Sequence, residues 1–168
     1  MEHKFVNKIV HTESLYREMQ FAAKGKLRII LYTAVAVFAL LTSLLLFADK
    51  VFDTAVILFV LSLLLLALTY VRPMLAAKQQ CKRNAVLANG QNALPVTLSF
   101  GEDSLEITNP AIDSTVTYDY KKFKKLKKTR HLYLLVLPHS LYLMVNKNGF
   151  TTGTPEEFEA FIKEKIKK

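Results

Sequence analysis

Apolar residues along the chain follow three different spacings. Ile29 to Ala48 is a run of twenty residues without a charge, and Thr54 to Val71 is a second run of eighteen. A helix rises 1.5 Å per residue, so about twenty such residues match a hydrocarbon core of about 30 Å. Val51 and Phe52 extend the second run beyond Asp53, and Asp49 to Asp53 is short enough to join two antiparallel helices. A chain this size has too little surface elsewhere to bury such helices all round as the core of a soluble protein. The pattern therefore predicts a two-helix transmembrane hairpin.

Before the hairpin, Phe5 to Val10 is rich in β-branched residues and predicts a strand. Thr12 offers a cap for a helix beginning near Glu13, in which Leu15, Met19, Ala22 and Ala23 recur at helical spacing. This helix is expected to run into the first span, with Gly25 a tolerated weak point. After the second span Pro73 predicts a kink, and Met74 to Ala88 reads as a helical stalk stopped by Asn89 and Gly90.

Beyond a linker at Asn89–Pro95 the period becomes two. Val96, Leu98 and Phe100 alternate with polar residues, as do Leu105 and Ile107, and Val116 and Tyr118. Turns at Gly101–Asp103 and Asn109–Asp113 predict an antiparallel meander whose strands each bury one face. His131–Leu137 and Leu141–Asn146 form a further hairpin around Pro138, His139 and Ser140. Thr154, Pro155 and Glu157 then supply the signals of a capped helix with Phe158, Phe161, Ile162 and Ile166 on one face. Lys163, Lys165, Lys167 and Lys168 suit its C-terminal end. No internal repeat or low-complexity tract is present. The expected fold is membrane α + β, a transmembrane hairpin with helical extensions and a small antiparallel β domain closed by a C-terminal helix. Its segments are 1–28 (strand and helix), 29–48 (first span), 49–53 (external turn), 54–71 (second span), 72–88 (stalk) and 89–168 (β domain).

Charge orients this plan. Lys24, Lys26 and Arg28 precede the first span, and Arg72, Lys78, Lys82 and Arg83 follow the second, so the positive-inside rule places both termini in the cytoplasm. Tyr32 and Tyr70 fall at the same interface, where a ring suits acyl chains and its hydroxyl suits water. The first apolar run is longer than a signal core and begins after 28 residues, which argues against cleavage. Neither span holds an ionisable residue, so an anchor is favoured over an ion or proton path. Thr33, Thr42, Ser43, Ser62 and Thr69 are expected to bond carbonyls of their own helices, and Ala39 with Ser43 has the small-xxx-small spacing of close helix packing.

The 168 residues are 51% hydrophobic, lack Trp and carry a formal net charge of +9. Residues 78–168 hold fifteen Lys or Arg against nine Asp or Glu, so much of the excess belongs to the tail. Its densest part is Lys121 to Arg130, where Lys121, Lys122, Lys124, Lys125, Lys127, Lys128 and Arg130 surround Phe123 and Leu126. This run suits an anionic leaflet, at about 1 kcal/mol per basic residue near the surface. The bland alternative makes Tyr120, Phe123 and Leu126 anchors of a short turn, with solvated lysines guarding a sheet edge. Nucleic acid is disfavoured because no recognition motif accompanies the run.

The order Phe100-Gly101-Glu102-Asp103, Tyr120-Lys121-Lys122-Phe123, Tyr133-Leu134, Val145-Asn146-Lys147-Asn148-Gly149-Phe150 and a closing Glu-Phe helix resembles the YcxB-like domain. The resemblance extends over nearly the whole chain and implies a small bacterial membrane protein in which two spans precede that domain. Asn146 stands where a proline is expected before the closing helix. The family has no assigned biochemical role, so no catalytic residue is implied. Strands closed by one C-terminal helix also look like a bacterial pleckstrin-homology-type fold, an analogy that implies no ligand.

Candidate chemistry is sparse. His3, His11, His131 and His139 are scattered without metal-ligand spacing, lone Cys81 requires no oxidising compartment, and no G-x-S-x-G, H-E-x-x-H or phosphate-binding glycine loop occurs. No cofactor is expected. The expectation is a non-enzymatic binding or regulatory module in the bacterial cell membrane, contacting anionic headgroups or a partner protein. An accessory or sensor subunit of a larger membrane complex is the alternative, and an enzyme with an unrecognised site a third.

Overall fold

The computed structural model describes residues 3–87, 95–110 and 113–167. The predicted stop at Asn89–Gly90 and most of the Asn89–Pro95 linker lie outside these residues, as do parts of the Asn109–Asp113 turn and Lys168. The chain forms two compact units, one of residues 20–77 and one of residues 1–19 with 78–168.

In the first unit, helices α2 (Lys26–Ala48) and α3 (Phe52–Leu66) pack as a hairpin. They meet along small residues. Ala36 and Ser43 of α2, Ala55 and Ser62 of α3, and Thr69 beyond it are almost fully buried, and each recurs seven residues after the last on its own helix. That spacing keeps one stripe facing a neighbouring helix, and small side chains let the backbones approach. The Ser43 hydroxyl crosses the seam to donate to the Ala55 carbonyl at 2.8 Å. Thr33, Thr42, Ser62 and Thr69 instead bond carbonyls of their own helices, as expected. Ala39 is only half-buried, so close packing uses Ala36 with Ser43 rather than Ala39 with Ser43. Large apolar side chains cover the outside, with Leu27 79%, Phe38 74% and Leu45 67% exposed. Helix α2 and the continuous helix Phe52–Val86 that begins with α3 are long and apolar enough to span a membrane, and only 11% and 17% of their most apolar windows are buried, unlike core helices of a soluble domain.

Three details differ from the sequence pattern. Gly25 breaks the N-terminal helix, so that α1 (Glu13–Lys24) and α2 are separate. Its φ of +84° lies in the region that glycine enters without a Cβ penalty. The connecting turn is tighter than Asp49–Asp53, because Phe52 and Asp53 already belong to α3. Where the sequence predicts a kink at Pro73, the irregularity is a single π-turn at Ala67–Val71, just before the proline, which leads directly into α4 (Arg72–Leu87). In this turn Arg72 N–H bonds back to Ala67, which releases the Leu68 carbonyl, while Pro73 has no N–H to offer Thr69. Lys24 Nζ donates to both released carbonyls, at 2.7 and 3.0 Å.

The second unit is built on two antiparallel sheets. Strands β2 (Pro95–Phe100), β3 (Ser104–Asn109) and β4 (Ser114–Asp119) form the predicted meander. The five-stranded order is β4-β3-β2-β1-β8, where β1 is Phe5–Val10 and β8 is Phe150–Thr152. The N-terminal strand is therefore an inner strand of the same sheet, pairing Phe5 with Phe100 and Val10 with Pro95. The second sheet has the order β5-β6-β7, from Lys125–Lys128, Leu132–Val136 and Tyr142–Asn146.

Asn7 joins the two sheets. It is fully buried on β1, its Nδ2 donates to the Asn146 carbonyl at 2.7 Å, and its Oδ1 accepts from Asn146 N–H at 3.2 Å. The side-chain amide thus takes the place of a neighbouring peptide group. Gly149 lies against the same strand, where a Cβ would come 2.3 Å from the Lys8 carbonyl oxygen. Helix α5 (Pro155–Lys167) closes the core with Phe158, whose ring meets those of Phe5, Phe100, Tyr133 and Phe150 at 4.7–5.7 Å. Its capping box forms: Glu157 N–H donates to Thr154 Oγ1 at 3.3 Å, and Thr154 N–H to Glu157 Oε2 at 3.1 Å.

Two strands depart from the rule of one buried face. All five residues of β6 are buried, as suits the middle strand of a covered sheet. At the free edge of the larger sheet, β4 leaves Val116 47% exposed despite its alternating sequence. Alternation predicts which residues share a face, but burial also needs a neighbour above that face, and an edge strand has fewer.

Replacing Asn7 by Ala should lower unfolding stability by about 1–3 kcal/mol, because the Asn146 N–H loses its side-chain partner and the Asn146 carbonyl keeps only its bond from Gly149 N–H. Chemical denaturation of the full chain measures this. Thr151→Ala, which removes one exposed bond to Val6, should change it by less than about 1 kcal/mol.

Candidate functional site

The basic run begins at the end of β4. Asp119 Oδ1 accepts from Lys121 N–H at 2.8 Å and caps a short 3-10 turn at Tyr120–Lys122. Tyr120 and Phe123 are each only 3% exposed and anchor this turn. The Tyr120 hydroxyl donates to Gly101 O at 2.9 Å and its ring meets Phe161 edge-on at 5.7 Å. Burial pushes the Tyr120 phenol well above its usual range, so it stays neutral.

From Lys125 the run becomes strand β5, which sequence alone did not reveal. Lys125 pairs with Val136, Leu126 with Leu135, Lys127 with Leu134 and Lys128 with Tyr133. As an outer strand beside the buried β6, it places cations along an edge of the smaller sheet. This is the arrangement expected of an edge kept from pairing with other chains.

The seven cations are not equivalent. Lys128 is drawn to Glu159 of α5 at 2.5 Å, a carboxylate that also pairs with Lys163 at 2.5 Å. Lys127 Nζ lies 5.6 Å from the Tyr142 ring and Lys122 Nζ 5.5 Å from that of Tyr118. Lys121, Lys122, Lys124, Lys125 and Arg130 are exposed and make no ion pair among the described residues. Lys147 pins the end of the run by donating to the Thr129 carbonyl at 2.5 Å. The result is a fixed apolar base carrying five outward cations, able to hold several anionic groups without base or side-chain readout.

The histidines are dispersed. His131 bonds Glu18 of α1 twice, through its backbone N–H and through Nδ1, both at 2.8 Å. His3 lies 3.9 Å from Glu106, His139 is exposed in the β6–β7 turn, and His11 packs on Tyr16 with burial lowering its pKa to about 4. Tyr16 in turn accepts a hydrogen bond from Asn84 of α4. Among the described residues no three His, Cys, Asp or Glu side chains gather as metal ligands.

Hydrogen bonds from Lys128 and then Lys163 hold the Glu159 carboxyl down to about 2. A depressed folded-state pKa means that the unfolded chain takes up the proton first. The stabilisation is therefore complete above about pH 4.5 and is lost as pH falls toward 2. Glu159→Gln should remove that part of the acid sensitivity while leaving the rest, as followed by thermal unfolding between pH 6 and about 2.5.

No curated protein matches the chain. A family model described as YcxB-like protein matches residues 100–163, from the last residue of β2 into α5. The match is narrower than the resemblance read from the sequence, and it leaves out β1 and most of β2. It includes the whole basic run, the smaller sheet and the capping box. Residues 100–163 are a YcxB-like family domain.

Proposed function

We propose that this protein is anchored in the bacterial cell membrane by the α2–α3 hairpin, with both tails cytoplasmic, and that it is a non-enzymatic module binding anionic lipid headgroups through its YcxB-like domain. The observation that carries the binding reading is the row of exposed cations at Lys121, Lys122, Lys124, Lys125 and Arg130, without an ion pair among the described residues, on a fixed base. At about 1 kcal/mol per basic residue near an anionic surface, four lysines supply useful affinity that added salt weakens.

Membrane insertion is supported by the apolar exterior of a hairpin whose only internal seam is lined with small residues. Such a surface in water would far exceed the apolar patches of soluble monomers. The sheet adds an argument on topology that does not use charge. Val10 pairs with Pro95, so residues 11–94 leave and return to adjacent positions of one sheet. Two spans satisfy that condition and a single span does not. The basic flanks then select the cytoplasmic side.

Val51→Cys in a Cys81→Ser background should react with an impermeant maleimide added to intact cells, and Asn148→Cys should not. Reaction at residue 148 alone would overturn the orientation. For binding, the full chain in nanodiscs of phosphatidylcholine should capture vesicles containing phosphatidylglycerol and not pure phosphatidylcholine vesicles. Glutamine at Lys121, Lys122, Lys124 and Lys125 should weaken capture at least tenfold. Equal capture of both vesicles, or no effect of the four substitutions, sinks the lipid reading; a stoichiometric protein copurifying through these lysines would replace it.

A further inference from the structure

The turn between β6 and β7 stands beside the basic strand. Lys125, Val136 and Tyr142 occupy one row across the smaller sheet, and Lys124 N–H donates to the Val136 carbonyl at 2.7 Å. With strands about 4.8 Å apart, the start of β5 lies about 10 Å from the start of β7. Lys127 closes part of that gap by reaching the Tyr142 ring. The turn, Pro138–Leu141, therefore emerges from the sheet end where Lys124 and Lys125 are exposed.

Its tip is unusual in two ways. His139 and Ser140 both have positive φ, 56° and 58°, although neither is glycine. Leu141, which follows them, is 62% exposed. Among the described residues from Val96 onward, the other large apolar residue left exposed is Val116, which lies on strand β4. An exposed leucine at the same end of the sheet as Lys124 and Lys125 offers an apolar group for acyl chains next to cations for phosphates. Asp119, the carboxylate nearest the run in sequence, is occupied with the Lys121 backbone.

We propose that the Pro138–Leu141 turn is a membrane-docking tip, with Leu141 entering the acyl region while Lys124 and Lys125 hold the phosphates of anionic lipids. This rests on the lipid reading above and adds insertion to it. Long lysine stems let the ammonium groups remain at headgroup level while the turn sits deeper. An acidic protein surface would engage the lysines but gives the leucine no comparable environment.

The absence of Trp from the sequence provides the test. The full chain carrying Leu141→Trp, held in phosphatidylcholine nanodiscs, is mixed with phosphatidylglycerol-containing vesicles whose acyl chains are brominated. Insertion predicts a blue-shifted indole quenched by the bromines, and Leu141→Ser should capture vesicles about tenfold less well. Vesicle capture with an unquenched indole, or undiminished capture by Leu141→Ser, overturns insertion and leaves the headgroup reading standing. No capture of anionic vesicles by the unsubstituted chain overturns both.

Discussion

The first strand of the chain completes a sheet whose other members are made last, and the remaining architecture depends on that pairing. β1 lies between β2 and β8, and from its centre Asn7 reaches across to β7. Without it the larger sheet would be divided, Phe5 would be missing from the aromatic cluster around Phe158, and Gly149 would lose the backbone it closely approaches. The whole apolar hairpin is in effect a long loop inserted between two paired strands. A domain defined only by residues 100–163 therefore lacks the centre of its own sheet.

The hairpin seam and the sheet use opposite solutions to packing. In the hairpin, Ala36, Ser43, Ala55 and Ser62 reduce side-chain bulk so that two backbones come close, and the large residues turn outward. In the sheets, large residues turn inward and one phenylalanine gathers four rings. The contrast fits the surroundings proposed for each unit: where they are as apolar as leucine, burying leucine brings no gain and close fit decides the contact. Lys24 belongs to the same logic, since carbonyls released by the π-turn and Pro73 need a donor wherever water is scarce.

What the sequence disclosed was mainly local. Twenty uncharged residues, the alternation in β2 and β3, and Thr154 with Glu157 each carry their signal within one element. Gly25 was ambiguous because a glycine inside a helical pattern is compatible both with a tolerated weak point and with a break. The place of β1 rests on partners at Phe100 and Thr152, far along the chain, and no local pattern encodes them. β5 was hidden because four of the residues from Lys124 to Lys128 are lysine, which masks the period-two signal that Leu126 alone cannot supply. At the basic site, composition revealed the cluster but could not show that Glu159 removes Lys128 from it or that Leu141 is exposed at the same end of the sheet as Lys125.

The inner position of β1 also sets an order of events. The strand leaves the ribosome before either span has been made, yet its partners at β2 and β8 follow only after the hairpin. Throughout that interval its hydrogen-bonding edges are unoccupied, so the β domain can reach its final form only after synthesis of the hairpin is finished. A nascent chain halted before Phe150 would thus carry an unfinished sheet and a finished hairpin.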